Sequence, residues 1–279
     1  DFQDAVYGPV TYDLASLFKD AYIHWEEEQT LDWLVRYWEI GRQLGLPVMG
    51  ADVPAPDEDM VRLTAAQAPA GFDWLLDQYD KGNRFFLYTG RGPSGGTHLG
   101  HLMPWMFNRY LQHLFKVNMY FQLTDDEKFL FNENLSLEDT RRAAYENVLD
   151  FIALGFEPEY TRVIIDTKDI KTLYPLALQV AKRVTFSTAR AVFGFENSHN
   201  IGSIFYTSIQ AAPCFIEDAL YGKKTPCLIP CGIDQDAHFR VARDVAPLLG
   251  YPKPALIYNK MFPGLTGNDK MSSSQPQTT

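Results

Sequence analysis

Cysteine is scarce in this chain: Cys214, Cys227 and Cys231 are the only three in 279 residues. An odd count, with a single Cys227-x-x-x-Cys231 spacing and no second pair, excludes a disulfide framework and a four-ligand zinc site, so all three are expected as reduced core residues. Long apolar runs are missing too. None approaches the roughly 20 residues of a membrane span, and the opening residues do not read as a signal peptide. The chain begins at Asp1 rather than at a methionine, so its N-terminus is expected not to be the natural one. Basic charge is short as well, with a net charge of −10. Residues 1–71 hold 13 acidic and 4 basic side chains, a balance of −9, whereas the remainder holds 22 and 21, a balance of −1. The acidity therefore belongs to the N-terminal piece, and a near-neutral remainder is compatible with a local basic surface, because attraction to phosphates follows where charges cluster. Hydrophobic residues, at 46%, are plentiful enough for a sizeable core and one or two domains.

The strongest local signal is Phe85–His101, FFLYTGRGPSGGTHLGH. A strand over Arg84–Thr89 runs into Gly90, Gly92, Gly95 and Gly96, which free backbone N–H groups. Thr97 is placed to cap the following helix, whose positive end faces an anion such as phosphate. Gly100 lets a flat group such as adenine approach the backbone, and His98 and His101, three residues apart, point to one side. Gly90-Arg-Gly-Pro-Ser-Gly95 also matches the dinucleotide pattern G-x-G-x-x-G. That pattern wants an acidic residue about 20 positions on, at the end of a second strand; the region holds Arg109–Phe115 instead, which reads as helix. A second signal lies far along the chain, Lys270-Met271-Ser272-Ser273-Ser274, a lysine with hydroxyls that suits a mobile clamp on a triphosphate.

From Phe72 onward strands and helices alternate. Strands are expected at Arg84–Thr89, Val117–Leu123, Arg162–Ile165, Cys227–Ile233 and Ala255–Tyr258. Helices are expected near Phe72–Tyr79, Thr97–Phe115, Leu137–Ala153, Thr172–Arg183 and Gln235–Leu248. Ser136 and Asp139 are spaced as a capping box for the third helix. The fold class expected is α/β, a doubly wound parallel sheet with ligands at the carboxyl ends of its strands, preceded by a mainly helical N-terminal segment.

With HLGH at 98–101 and KMSSS at 270–274, the chain resembles the class I aminoacyl-tRNA synthetases, whose signatures are HIGH and KMSKS. YTGRGPS (88–94), QLTDDEK (122–128), SIQAAP (208–213), PCGIDQDAHFRVARD (230–244) and YPKPALI (251–257) narrow the resemblance to tryptophanyl-tRNA synthetases of the archaeal and eukaryotic type, over Phe72 to Thr279. The resemblance implies a Rossmann-like catalytic domain that activates L-tryptophan with ATP, accompanied by Mg2+, and transfers it to tRNA(Trp). It also implies a cytoplasmic enzyme, homodimeric at full length, with no membrane association. The family continues beyond the KMSKS motif, so the chain is expected to be C-terminally incomplete.

The resemblance also assigns residues. His98 and His101 contact phosphates or adenosine, and Lys270, Ser272, Ser273 and Ser274 clamp the pyrophosphate. Thr89, Arg91, Gly92, Gly100 and Lys128 belong to the ATP site, and Asp234 to its ribose. For tryptophan it implies Tyr88 and Gln122 on the indole nitrogen, Glu127, Gln210 and Gln235 around the ammonium and carboxylate, and Phe239 on the ring. The chemistry is consistent with these types, since an indole N–H and an ammonium are donors and need acceptors. A tyrosyl-type enzyme, the nearest alternative, wants a carboxylate facing the phenol in a Y-x-x-Q-x-x-D arrangement, whereas Gln210 is followed by Ala211, Ala212 and Pro213. A partner-binding role without catalysis would be signalled by lost signature residues, and none of the key ones is lost.

Residues 1–55 resemble the C-terminal lobe of aminoglycoside or choline-type phosphotransferases, with Asp1 in the place of a magnesium-holding aspartate. The helical stretch His24–Leu46 places Trp25, Leu31, Leu34, Val35, Trp38 and Leu44 on a core-like stripe. Such a fragment lacks its catalytic loop and would have no activity of its own. Residues 56–71 read as a linker or junction, rich in proline, alanine and acid. The expectation is an artificial joining of two coding fragments rather than a natural fusion, with residues 72–279 as the catalytic domain.

Overall fold

A computed structural model of the chain describes residues 71–95, 97, 99–232 and 235–259. The phosphotransferase-like segment at 1–55 and nearly all of the 56–71 junction lie outside these residues, as do His98, Asp234, Lys270 and Ser272–Ser274. The described elements, in chain order, are α1 (Phe72–Asp80), β1 (Phe86–Arg91), α2 (Leu99–Phe115), β2 (Met119–Leu123), α3 (Asp125–Phe131) and α4 (Leu137–Ala153). They continue with β3 (Thr161–Ile165), α5 (Asp166–Ala181), α6 (Phe186–Phe193), α7 (Ile201–Ala211), α8 (Ile216–Tyr221), β4 (Cys227–Gly232), α9 (Asp236–Val245) and β5 (Ala255–Asn259).

The five strands form one parallel sheet in the order β3-β2-β1-β4-β5. The chain moves outward from β1 through β3, then returns beside β1 to start the other half, which is doubly wound topology with a switch point between β1 and β4. Parallel strands covered on both faces read as continuous apolar runs, and the alternation of side chains sorts them into two cores. Phe86, Tyr88, Tyr120, Ile164, Ile229 and Leu256 face α5, α7, α8 and α9. Leu87, Met119, Phe121, Leu123, Leu228 and Ile257 face α1, α2 and α4. The three cysteines are unpaired and buried, and burial pushes the Cys227 thiol well up. No helix among the described residues is long and apolar enough to cross a membrane.

All five expected strands are present with shifted ends. The Ser136–Asp139 capping box forms, with Asp139 N–H donating to Ser136 Oγ at 3.2 Å and Ser136 N–H to Asp139 Oδ2 at 3.1 Å. Four helices escape the periodicity reading: α3, α6, α7 and α8. Two of these, α6 (FSTARAVF) and α7 (IGSIFYTSIQA), are rich in β-branched and hydroxyl residues of weak helix propensity. They begin at side-chain caps, Thr185 accepting from Thr188 N–H at 3.1 Å and Asn200 from Ser203 N–H at 2.8 Å. The expected Thr172–Arg183 helix starts six residues earlier, at Asp166, and that shift bears directly on the site.

Candidate active site

The switch point opens for a local reason. Phe86 N–H donates to the Pro226 carbonyl at 3.0 Å, so the alternate residues Leu228 and Pro230 also turn their backbone polar groups toward β1. Proline has no N–H to give. The β1–β4 ladder ends at Leu87↔Leu228, whereas β1 pairs with β2 as far as Arg91↔Leu123. The Thr89 hydroxyl reaches across to the Pro230 carbonyl at 3.3 Å. Beyond it lies the crevice where open α/β sheets bind ligands.

On the α7 and α9 side of the sheet, five of the six residues assigned to tryptophan form one connected cluster. Tyr88 O–H lies 2.5 Å from Gln122 Oε1 and 3.0 Å from the Gln210 carbonyl oxygen. Gln210 Nε2 donates to Gln235 Oε1 at 3.1 Å, and Phe239 sets its ring edge-on to Tyr88 at 5.8 Å and 89°. Tyr88 is 1% exposed and Gln122 fully buried; burial raises the phenol well above its ordinary pKa, keeping it neutral. Gln210 is 8% exposed, and its Oε1 is a buried acceptor without a hydrogen-bond partner. Such an atom costs roughly 1–3 kcal/mol until a donor reaches it.

Behind this cluster stand carboxylates that the sequence reading did not single out. Gln122 Nε2 donates to both oxygens of Asp166, at 2.8 and 2.9 Å. Asp166 is fully buried at the start of α5, where the helix dipole favours negative charge. Next to it, Asp125 accepts from Thr167 N–H at 3.0 Å and Thr167 O–H at 2.5 Å, tying the start of α3 to the start of α5. Tyr206, buried on α7, faces Glu127, Asp166 and Asp126. The signal for Asp166 was positional: a carboxylate immediately after a parallel strand sits where ligands bind, and placing the helix start at Thr172 concealed it.

Burial, with Asp125 and Glu127 adding repulsion, moves Asp126 from its ordinary 3.8 up to about 6, against lowering hydrogen bonds from Asp166 and the Glu127 backbone. Asp166, hydrogen-bonded to Asp126, lies well above the usual carboxylate range for the same reason of burial. Between pH 3.8 and about 6 the native state therefore holds more protons than the unfolded chain. This contribution to stability is complete below the lower value and is lost as pH rises through the upper one. Urea unfolding from pH 4 to 7 should show the parent losing stability relative to Asp126→Asn as pH rises; parallel curves would rule the linkage out.

On the opposite sheet face, Arg91 holds the glycine-rich turn. Its guanidinium donates to Thr97 Oγ1 at 2.7 Å, Ser94 Oγ at 3.2 Å and the Gly95 carbonyl at 3.0 Å, and it lies over the Trp105 ring at 5.6 Å. Burial lowers its pKa to about 10, with Asp150 opposing, so it stays charged. Thr97 O–H in turn donates to Asp150, and Ser94 N–H to Asn147 Oδ1 at 3.3 Å, so α4 braces the turn. Above the turn lie Glu127 and Lys128: a Cβ at Gly92 would fall 2.7 Å from Glu127 Oε2 and 2.5 Å from Lys128 Cε. Only glycine leaves both side chains where they are. Glu127 also accepts from Thr124 O–H at 2.6 Å. His101 is half-buried one helical turn before Trp105, ring centroids 6.1 Å apart, and Gly100 lies in the same first turn of α2.

The fold thus brings together Tyr88, Gln122, Gln210, Gln235 and Phe239 in one cluster, and Arg91, Gly92, Glu127 and Lys128 around the turn. Residues 80–279 match the family model for class I tRNA synthetases of the W and Y type. The chain is 47% identical over 264 residues to a tryptophan–tRNA ligase of Pyrobaculum calidifontis, covering 91% of this chain and 71% of that one. It is 50% identical to that of Pyrobaculum aerophilum, covering 78% of this chain and 58% of the relative. Among solved structures, tryptophanyl-tRNA synthetase of Encephalitozoon cuniculi bound to tryptophan superimposes with a TM-score of 0.73 at 36% identity, over 87% of this chain and 70% of that one. The Plasmodium falciparum enzyme gives 0.67 at 45% identity, over 68% and 54%. The chain thus spans between about half and seven-tenths of the relatives it matches. The phosphotransferase likeness of residues 1–55 finds no support here: a match over 91% of the chain reaches into that segment. A W-and-Y family model over residues 80–279, together with a tryptophan–tRNA ligase at 47% identity, makes the chain a member of the class I aminoacyl-tRNA synthetases, in the tryptophanyl branch.

Proposed function

We propose that the chain activates L-tryptophan with ATP to tryptophanyl-adenylate and passes the tryptophanyl group to tRNA(Trp). The observation that carries this reading is the buried cluster at the switch point, with its acceptor Gln210 Oε1 lacking a donor. An ammonium or an N–H group supplies what that atom lacks. Tyr88 and Gln122 would receive the indole N–H, Glu127, Gln210 and Gln235 the ammonium and carboxylate, and Phe239 the ring.

The tryptophan carboxylate attacks the α-phosphorus of ATP in line, and pyrophosphate leaves. The reaction needs positioning and charge neutralisation rather than a covalent nucleophile. In this reading Thr89, Arg91, Gly92, Gly100 and Asp234 belong to the nucleotide site, Arg91 acting by holding the turn. His98, His101, Lys128, Lys270 and Ser272–Ser274 gather on the phosphates, and Mg2+ arrives with ATP. A tyrosine substrate would want a carboxylate facing its phenol, whereas the Asp166 carboxylate is turned to the Gln122 amide, which lies between it and Tyr88.

Residues 72–279 are taken as the catalytic domain, residues 1–55 as a separable segment and 56–71 as its junction; the full-length enzyme would be a cytoplasmic homodimer. Pyrophosphate exchange into ATP is expected to depend on tryptophan and not on tyrosine, and to survive deletion of residues 1–55. Exchange driven equally by tyrosine would defeat the substrate assignment, and folded but inactive deletion protein would defeat the division.

A further inference from the structure

Gln122 carries an ambiguity of its own. Its amide offers an acceptor on one side and a donor on the other, and turned over it would meet an indole N–H donor against donor. Tyr88 does not settle the choice, because a hydroxyl donates or accepts and its proton has an alternative target in the Gln210 carbonyl, 3.0 Å away. Asp166 does settle it. Both of its oxygens lie within 2.9 Å of Gln122 Nε2, so only the amide nitrogen can face it.

We propose that Asp166 is a positioning residue that sets selectivity for an indole N–H by locking the Gln122 amide with its oxygen toward the pocket. The inference rests on the tryptophan reading above. The neighbouring groups support it. Asp126 is a second side-chain hydrogen-bond partner of Asp166, beside Gln122, so a proton held by Asp166 has an acceptor in Asp126 and need not turn to the Gln122 amide. The neighbouring Asp125 turns its two oxygens to the Thr167 N–H and O–H instead. The start of α5 holds Asp166 in place, as Ile165 N–H donates to Asp169 Oδ2 at 3.0 Å within the same first turn.

The test compares equilibrium dialysis of the 279-residue chain with tryptophan and with 3-(benzothiophen-3-yl)alanine, in which sulfur replaces the N–H. The parent should prefer tryptophan by about tenfold or more, as expected when a buried acceptor loses its donor. Asp166→Ala and the milder Asp166→Ser free the amide to turn, and the preference should fall to about twofold or less. Asp166→Asn should keep it, because Asn Oδ1 still accepts from Gln122 and its NH2 donates to Asp126. The ratio of two ligands on one preparation is insensitive to a partly inactive sample, which a general packing defect would produce. If the alanine variant fails to fold, the serine variant carries the comparison. A discriminating parent whose alanine or serine variant discriminates equally well overturns the proposal, as does loss of preference in the asparagine variant. A parent that binds both ligands equally overturns the tryptophan reading and this inference with it.

Discussion

Gln122→Leu is expected to weaken tryptophan binding by roughly 1–3 kcal/mol, about five- to 150-fold in affinity, while leaving ATP affinity in place. The size follows from how many buried groups meet at this one amide. Its oxygen serves the Tyr88 hydroxyl at 2.5 Å, and its nitrogen serves both oxygens of Asp166. Leucine preserves volume but removes all of these, along with the acceptor proposed for the indole N–H. The glycine-rich turn proposed for the nucleotide sits on the other side of the sheet, braced by Arg91, Asn147 and Asp150, so its geometry does not pass through Gln122. Stability should fall as well, because Asp166 loses its donor in a fully buried position. Tryptophan affinity unchanged in the folded variant would remove Gln122 from the pocket.

Phe151→Ala carries the largest expected effect on stability, about 3–5 kcal/mol with a melting temperature lower by about 10 °C. Phe151 is fully buried on α4. It stacks on Phe121 of β2 at 3.8 Å and 2° and on Phe156 at 4.0 Å and 17°, and Trp105 of α2 meets it edge-on at 5.7 Å. Removing the ring leaves a cavity between three elements and forfeits the aromatic contacts. Asn147 and Asp150, which brace the glycine-rich turn, ride on the same helix. ATP affinity should therefore fall more than tryptophan affinity. A cost below about 1 kcal/mol would show that the site collapses around the missing ring, and a greater loss for tryptophan would show that α4 does not govern the turn.

Much of this protein is local enough to be visible in the order of its residues. The run FFLYTGRGPSGG reads as a strand and turn, because its glycines and its apolar stretch signal within a few positions. The Ser136–Asp139 cap needs only three residues' separation, and HLGH, KMSSS and the five further motifs point to the family without reference to any contact. What the order of residues did not determine lies in pairings across long stretches of chain. The resemblance assigns Arg91 to the ATP site, but only the structure shows its guanidinium holding the turn, where Thr97 meets Asp150 across 53 positions. Asp166 reads as a residue between a strand and a helix, yet it meets Gln122 across 44 positions and decides which atom the amide shows. Periodicity registers which face of an element is apolar, whereas the direction of a buried polar group is set by the partner opposite it, and that partner is chosen only when the sheet has assembled.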